Sequence, residues 1–372
     1  MIGLYIHIPF CVHKCVYCDF PSYGGILSYR QAYVDALCRE IDAWEGETVA
    51  DTVYFGGGTP SLLTTAQFAA VLTRLHRKFT FSADAEITVE ANPDSIDADF
   101  AAALHHMGVN RMSVGVQSFN DEMLRFLGRV HTAEQAVQAL LDIAAQGITN
   151  ISLDLMYGLP GQTLDMVAHD MDMVRSLPVC HASIYSLIVE DGTVLKNRLD
   201  RHQVILPEDQ AVETMRKKVH QSMHQMGFSH YEISSYAQQH RQSRHNCKYW
   251  QYEPYIGFGV SAHSFDGQQR WANISNIPAY IRKAGKMSVI GEQVTITRER
   301  AMEDYCYLAL RLRDGIHYDD FANRFGVPLA QEFGHVVEKL MEQKLLEPTA
   351  DGCRMTADGL AYGNYVFSRF IR

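Results

Sequence analysis

No run of ~18 or more uncharged apolar residues occurs anywhere in the 372-residue chain, so no transmembrane helix is expected. Basic charge is also in deficit. The chain has 33 Lys and Arg against 43 Asp and Glu, a formal net charge of −10, and so lacks the broad basic footprint of a general nucleic-acid binder. The N-terminal stretch IGLYIHIPF is broken by histidine and proline and runs straight into cysteines. It does not read as a secretory signal, and the protein is expected in the cytoplasm. There is no low-complexity tract and no repeat of roughly 20–50 residues. Cysteine is sparse outside one place: Cys38, Cys180, Cys247, Cys306 and Cys353 are widely scattered. In a reducing compartment they read as small buried apolar residues rather than disulfide partners.

The other three cysteines, Cys11, Cys15 and Cys18, are packed into CVHKCVYCDF. A CxxxCxxC triplet supplies three thiolates where an ordinary iron–sulfur cluster takes four, which leaves one iron open to another ligand. The alternatives are chance and zinc. Structural zinc takes four N or S ligands, usually from paired CxxC or CxxC and HxxxH halves, and no second half follows. His7 lies in an apolar alternation, and His13 sits between the first two thiols.

At 372 residues, two or three domains are expected. Short segments rich in β-branched and aromatic residues alternate with helical patterns through the first half: LYIHI (4–8), TVYFG (52–56), EITVE (86–90), RMSVGV (111–116), ISLDLM (151–156) and ASIYSL (182–187). Six β/α units in series predict a parallel sheet. A partial or full (β/α) barrel carries its function at the C-terminal ends of the strands. The cysteine loop, GGGTP, Glu90 with Asn92, Gln117 and Asp154 all fall there. From about 190 to 290 turn signals and aromatics dominate, which predicts antiparallel strands at the barrel edge. Helices at 298–315, 318–326 and 329–346, followed by a hairpin around CRMTADG, give the order of a winged-helix unit.

Several motifs admit a structural and a functional reading. GGGTP (Gly56–Pro60) is either a plain βα turn, with Thr59 capping the next helix, or a loop whose glycines let backbone approach a ligand. Glu90 and Asp154 suit ribose hydroxyls or an amino group. Gln117 and Arg129 suit a carboxylate or adenine, Arg129 in bidentate fashion. Each alone reads as a surface or capping residue; the shared rim favours the functional reading. Tyr5 and His7 alternate with Leu4, Ile6 and Ile8, and His7 reads equally as a satisfied buried histidine. HNCKYW offers His245 as an axial iron ligand and Tyr249 and Trp250 as stacking faces, although an aromatic cluster more often forms core.

YIHIPFCVHKCVYCDF, YFGGGTPSLL, VEANPD, RMSVGVQSF, DLMYGLPGQT, YEISSYA and HNCKYW occur in that order across almost the whole chain. Together they resemble the coproporphyrinogen oxidase-like branch of radical S-adenosylmethionine (SAM) proteins, and within it the HemW haem chaperone subgroup. The oxidase of that branch has a fourth cysteine, where this chain has Phe20 after Asp19. The resemblance implies a partial (β/α)6 barrel over residues 1–190, a β/α extension carrying HNxxYW over 191–292, and a winged-helix-like domain over 293–372. It implies a [4Fe-4S] cluster on Cys11, Cys15 and Cys18. The open iron would take SAM, whose cleavage gives methionine and a 5′-deoxyadenosyl radical. Tyr5, Gly58, Thr59 and Glu90 match contacts to that SAM; Tyr17, Gln117, Arg129 and Asp154 match contacts to a second one. Haem on His245, an apo-haemoprotein acceptor and an electron donor such as flavodoxin or ferredoxin complete the implied set, with no nucleic acid. Cys247 departs from the usual apolar residue at its place. The alternative function is oxygen-independent coproporphyrinogen III oxidase. A DNA-binding role for the C-terminal unit is disfavoured, because Arg324 is accompanied by Asp319, Asp320 and Glu332.

Overall fold

The six β-rich segments form parallel strands in the computed structural model, which describes residues 1–372. They are β1 (Ile2–Ile8), β2 (Val49–Gly57), β3 (Thr80–Ala91), β4 (Arg111–Gln117), β5 (Asn150–Tyr157) and β6 (His181–Ser186), each paired in parallel with the next. Helices such as Arg30–Asp42, Thr65–Lys78, Ala133–Ala145 and Leu164–Ser176 connect them. Two of these helices start with reciprocal capping, Thr64 with Gln67 and Thr132 with Gln135.

Successive side chains of a strand face opposite sides of the sheet, and here the two sides differ sharply in polarity. Leu4 and Ile6, Val53 and Phe55, Ile87 and Val89, Met112 and Val114, Ile151 and Leu153, and Ala182 and Ile184 point outward into one continuous core shared with the helices. Residues of the other parity include Tyr54, Glu90, Arg111, Ser113, Gln117, Asp154 and Ser183, which line a cavity inside the barrel. Apolar burial therefore holds the strands to the helices, and the lumen is left polar.

The curved sheet does not close on itself. Beyond β6 lie two short antiparallel strands, β7 (Ser229–His230) and β8 (Ser235–Ala237). Beyond β1 lie β9 (Tyr255–Phe258), β10 (His263–Phe265), β11 (Gln269–Asn273) and β12 (Ile290–Thr295). The order is β12-β11-β10-β9-β1-β2-β3-β4-β5-β6-β8-β7. The antiparallel extension expected from the sequence is present with one difference: β9 runs parallel to β1. The chain reaches β9 through the helix Arg244–Trp250, and such a helical crossover delivers a strand in the parallel sense. HNCKYW is that helix, capped by Ser243, whose hydroxyl accepts from the Asn246 amide.

The C-terminal helices Arg298–Ala309, Tyr318–Phe325 and Leu329–Glu342 build a second core around Phe321, Phe333 and Leu340, joined by Tyr252 and Phe265 of the extension. A small antiparallel sheet of β13 (Ile316–His317), β14 (Leu346–Pro348) and β15 (Gly352–Met355) accompanies them in the order β13-β15-β14. The hairpin expected around CRMTADG is β14–β15; its TADG half starts a helix, capped by Thr356. This unit holds the segment beside the lumen through Arg313, whose amide donates to the Tyr231 carbonyl at 2.9 Å, and through a β-bridge of Glu232 with Leu312. The Arg311 guanidinium lies 4.2 Å from the Trp250 ring centre. No helix is long and apolar enough to cross a membrane.

Phe55 is fully buried between β2 and the helix Thr65–Lys78, its ring 5.2 Å from that of Phe68. Phe55→Ala is expected to cost about 3–5 kcal/mol of unfolding free energy, measured by urea denaturation. A loss below about 1 kcal/mol would show that the outer face of the sheet is not where stability resides.

Candidate functional site

The cysteine loop leaves the C-terminal end of β1 and is tied down on three sides. The Val16 amide donates to the Leu127 carbonyl at 3.1 Å, the Leu195 amide donates to the Val16 carbonyl at 2.8 Å, and Tyr23 N–H donates to the Pro9 carbonyl at 2.8 Å. His7 adds a fourth restraint. Its Nε2 donates to the Pro21 carbonyl at 2.9 Å while Nδ1 accepts from the Tyr5 hydroxyl at 3.1 Å. That assignment follows from the partners. Burial lowers the His7 pKa to about 4, so the ring is neutral. Both readings of His7 therefore meet: it is a satisfied buried histidine, and the loop it anchors carries the thiols.

GGGTP lies against this loop. The Gly58 amide donates to the Ile8 carbonyl at 2.8 Å and the Thr59 amide to the Phe10 carbonyl at 2.7 Å. A Cβ on Gly58 would stand 2.6 Å from the Phe10 oxygen, so a side chain there cannot coexist with this pairing. Gly57, at φ +111°, is in the region that favours glycine. The Thr59 hydroxyl does not cap the short helix Pro60–Leu62. It donates instead to Cys11 Sγ at 3.7 Å and accepts from Asn92 Nδ2 at 3.1 Å. Asn92 Oδ1 accepts from Arg129 Nη2 at 2.7 Å, and Arg129 Nη1 donates to Cys15 Sγ at 3.5 Å. One chain of donors thus runs between two thiol sulfurs. Asn92 was placed on this rim by the sequence without a role, and the relay supplies it.

Cys11, Cys15, Cys18, Tyr17, Gly58, Thr59, Glu90, Gln117, Arg129 and Asp154 all line one cavity of about 510 Å³. Of the residues expected at the site, Tyr5 and His245 stand apart. Tyr5 is packed behind the wall, its ring 6.3 Å from that of Tyr54. His245 is buried in the barrel floor, with Nδ1 2.8 Å from the Thr52 hydroxyl and Nε2 2.8 Å from the Tyr249 hydroxyl. Its ring stacks on Tyr54 at 5.1 Å, and burial lowers its pKa to about 3. The imidazole is neutral, the form that binds iron, but both nitrogens are engaged. Tyr249 packs edge-on against His245 and Tyr255, while Asn246 and Trp250 reach the cavity.

Glu90 accepts from the Tyr54 hydroxyl at 2.7 Å and from the Gly57 amide at 3.2 Å, yet burial outweighs both and raises its pKa to about 7. Burial likewise raises Asp154 to about 6, against the hydrogen bonds of Ser183 and Ser113. Burial also pushes the Tyr5 and Tyr17 hydroxyls upward. Gln117 adopts φ +70°, a sparsely populated backbone state for a residue with a side chain. Its Oε1 accepts from the Tyr185 hydroxyl at 3.0 Å.

The donor set fits an iron–sulfur cluster. Three thiols share a short loop, and two of the sulfurs accept hydrogen bonds, from Thr59 and Arg129, of the kind that orient a cluster ligand. No three His, Cys, Asp or Glu side chains converge as a single ion requires. In a cluster each thiolate meets its own iron, so convergence on one point is not needed.

Sequence reasoning missed Tyr54, Arg111, Ser113, Ser183 and Tyr185. The signal was present in the parity: Arg111, Ser113 and Gln117 share the face of β4, and Tyr54 shares a register row with Tyr5.

An open α/β barrel with a three-cysteine loop on its C-terminal rim is the arrangement of the radical SAM class, and residues 5–174 match the family model described as the Radical SAM superfamily. Residues 296–362 match the HemN C-terminal domain model. The chain is 35% identical over 367 residues to "Heme chaperone HemW" of Lactococcus lactis, covering 99% of this chain and 96% of that protein. It is 37% identical to the protein of the same name from Bacillus subtilis, covering 100% and 99%. The Escherichia coli counterpart is 39% identical over 267 residues, 70% of this chain and 69% of that one. The chain belongs to the HemW family. The solved structure of coproporphyrinogen III oxidase (HemN) from Escherichia coli superposes with a TM-score of 0.85 over 99% of this chain and 89% of that one, at 24% identity, and shares the fold.

The raised Glu90 pKa has a consequence for stability. The folded state holds a proton on Glu90 that the unfolded chain, with its carboxylates near 4.5, has already released. Stability from this group is therefore lost as pH rises through about 7. Protein free of SAM is expected to lose about 1 kcal/mol between pH 6 and 8 from this group. Glu90→Gln should flatten the slope in thermal unfolding across that range; an unchanged slope would show that Glu90 is ionised throughout.

Proposed function

We propose that the protein is a haem chaperone that carries a [4Fe-4S] cluster and SAM, takes up haem and passes it to an apo-haemoprotein acceptor in the cytoplasm. The observation that carries this reading is end-to-end similarity to proteins named haem chaperones, in a chain whose three rim thiols and rim polar groups open on a single cavity. Residues 1–190 would form the barrel unit, 191–292 the extension and 293–372 the C-terminal unit. Cys11, Cys15 and Cys18 would hold the cluster, reduced by a donor such as flavodoxin or ferredoxin. When bound, the cluster supplies single electrons.

The chain's own residues prepare that site. Thr59 and Arg129 hydrogen-bond to the sulfurs of Cys11 and Cys15 and orient them. Gly58 lets its strand end pair closely with the loop backbone, on the wall where a ligand would lie, and Tyr5 supports the wall from behind. Glu90 and Asp154, held near neutrality by burial, accept hydroxyl or amino protons on a ligand. Gln117 and Arg129 present amide and guanidinium groups to its carboxylate or base, and Tyr17 closes the same wall. His245 is the proposed haem-iron ligand. Its nitrogens are engaged by Thr52 and Tyr249, so ligation would require the helix Arg244–Trp250 to withdraw from the floor.

After anaerobic reconstitution, Cys11→Ala, Cys15→Ala and Cys18→Ala are each expected to remove the four-iron cluster, and Cys38→Ala to leave it intact. Iron content and the cluster's visible absorption are the readout. Retention of full iron after loss of two triplet cysteines would refute the assignment.

Wild-type protein is expected to bind haem near one to one with a Soret shift, and to yield no protoporphyrinogen from coproporphyrinogen III in the presence of reductant and SAM. His245→Ala should reduce the Soret shift, and Tyr249→Phe, which releases Nε2, should not. Substantial decarboxylation without haem binding would establish the oxidase instead. An unchanged Soret band in His245→Ala, together with lower thermal stability, would make His245 a floor residue only.

A further inference from the structure

Arg111 begins β4 and is 1% exposed, so its guanidinium is among the largest side chains wholly inside the protein. Its Nε and Nη1 are buried without any hydrogen-bond partner, and the residue lines the cavity. The acids around it are committed elsewhere. Glu86, the charge that most supports the cation, accepts the Arg244 and His245 amides at 3.3 and 3.2 Å. Asp154 is held by Ser183 and Ser113, and Glu90 by Tyr54 and Gly57. A buried guanidinium with idle donors is costly unless something pairs with it. Trp250 Nε1, on the wall of the same cavity, is a second buried donor without a partner.

We infer that Arg111 forms a carboxylate subsite at the inner end of the lumen, where it receives a propionate of the bound porphyrin through two parallel N–H bonds. This rests on the proposal that haem is the ligand. A guanidinium matches a carboxylate in bidentate geometry. Asn246, on the same cavity wall, adds an amide. The carboxylate of SAM is the other source of the same chemistry. Arg111 opens β4, six residues before Gln117 at the thiol rim, so its backbone lies toward the opposite end of the strand, and the SAM arm of the test separates the two sources.

The test uses full-length, cluster-reconstituted protein with three probes: haemin, haemin dimethyl ester and SAM. The ester keeps the iron and the ring and lacks both carboxylates. Wild-type protein should bind haemin about ten- to a hundred-fold more tightly than the ester, as expected for hydrogen bonds to a charged partner. Arg111→Met should bring haemin affinity down to that of the ester while leaving ester and SAM affinities unchanged, and Arg111→Lys should restore part of the difference. Equal affinity of wild type for haemin and its ester overturns the subsite, a comparison that needs no variant. A loss of SAM binding in Arg111→Met, with the haemin preference intact, assigns the guanidinium to SAM and overturns it too. Failure of wild type to bind haemin at all is a separate result, which would remove the haem reading itself.

Discussion

The thiol loop is held in shape by hydrogen bonds that come from four different strands of the barrel. Arg129, beyond β4, donates to Cys15 and to Asn92 at the end of β3; Asn92 donates to Thr59 beyond β2; Thr59 donates to Cys11 beyond β1. Each step points its hydrogen toward sulfur, so the relay fixes the loop and aims a donor at each of two thiols. The close pairing of Gly58 and Thr59 with Ile8 and Phe10 places the hydroxyl that ends the relay. Without the registered edge of β1, β2, β3 and β4 these groups would not meet, and three cysteines in eight residues would be only a mobile, reactive segment.

That edge is stable because apolar burial has been moved outside the barrel. The outward faces of the strands carry Ile, Leu, Val, Phe and Met against helices, and the inward faces carry side chains that satisfy one another or wait for a ligand. Ser152 with His181, Thr52 with His245, and Tyr54 with Glu90 are closed pairs. Arg111, with two buried donors lacking a partner, departs furthest from that pattern, and Trp250 Nε1 and one Glu232 oxygen join it on the cavity wall.

The strands were legible because short runs of β-branched and aromatic residues are local information; the ends shifted by six positions at most, that largest change being the extension of β3 back to Thr80. The rim was legible because strand ends follow from strand positions, and the three thiols stand close together in the chain. His245 was not, since its environment is made by Thr52, distant by 193 residues, and by a helix crossing the floor that reads from sequence as an aromatic cluster. Of the two readings of GGGTP, the cap by Thr59 is the one the fold does not adopt, for a related reason: the acceptor that wins its hydroxyl comes from another loop. Arg111 went unnoticed because an arginine opening a strand ordinarily reaches water, and only the assembled barrel shows that this one does not.

The C-terminal unit grips the barrel at the residues that wall the cavity, through Arg311 on Trp250 and the bridge from Leu312 to Glu232. Trp250 and Glu232 thus belong to two equilibria at once, occupancy of the lumen and seating of the C-terminal unit. Thermodynamic reciprocity then applies: a ligand that favours one arrangement of this wall strengthens the seating by the same free energy with which seating strengthens the ligand. A partner protein that pried the C-terminal unit loose would, by that symmetry, lower the affinity of the cavity for its contents and turn a tight store into a releasing one.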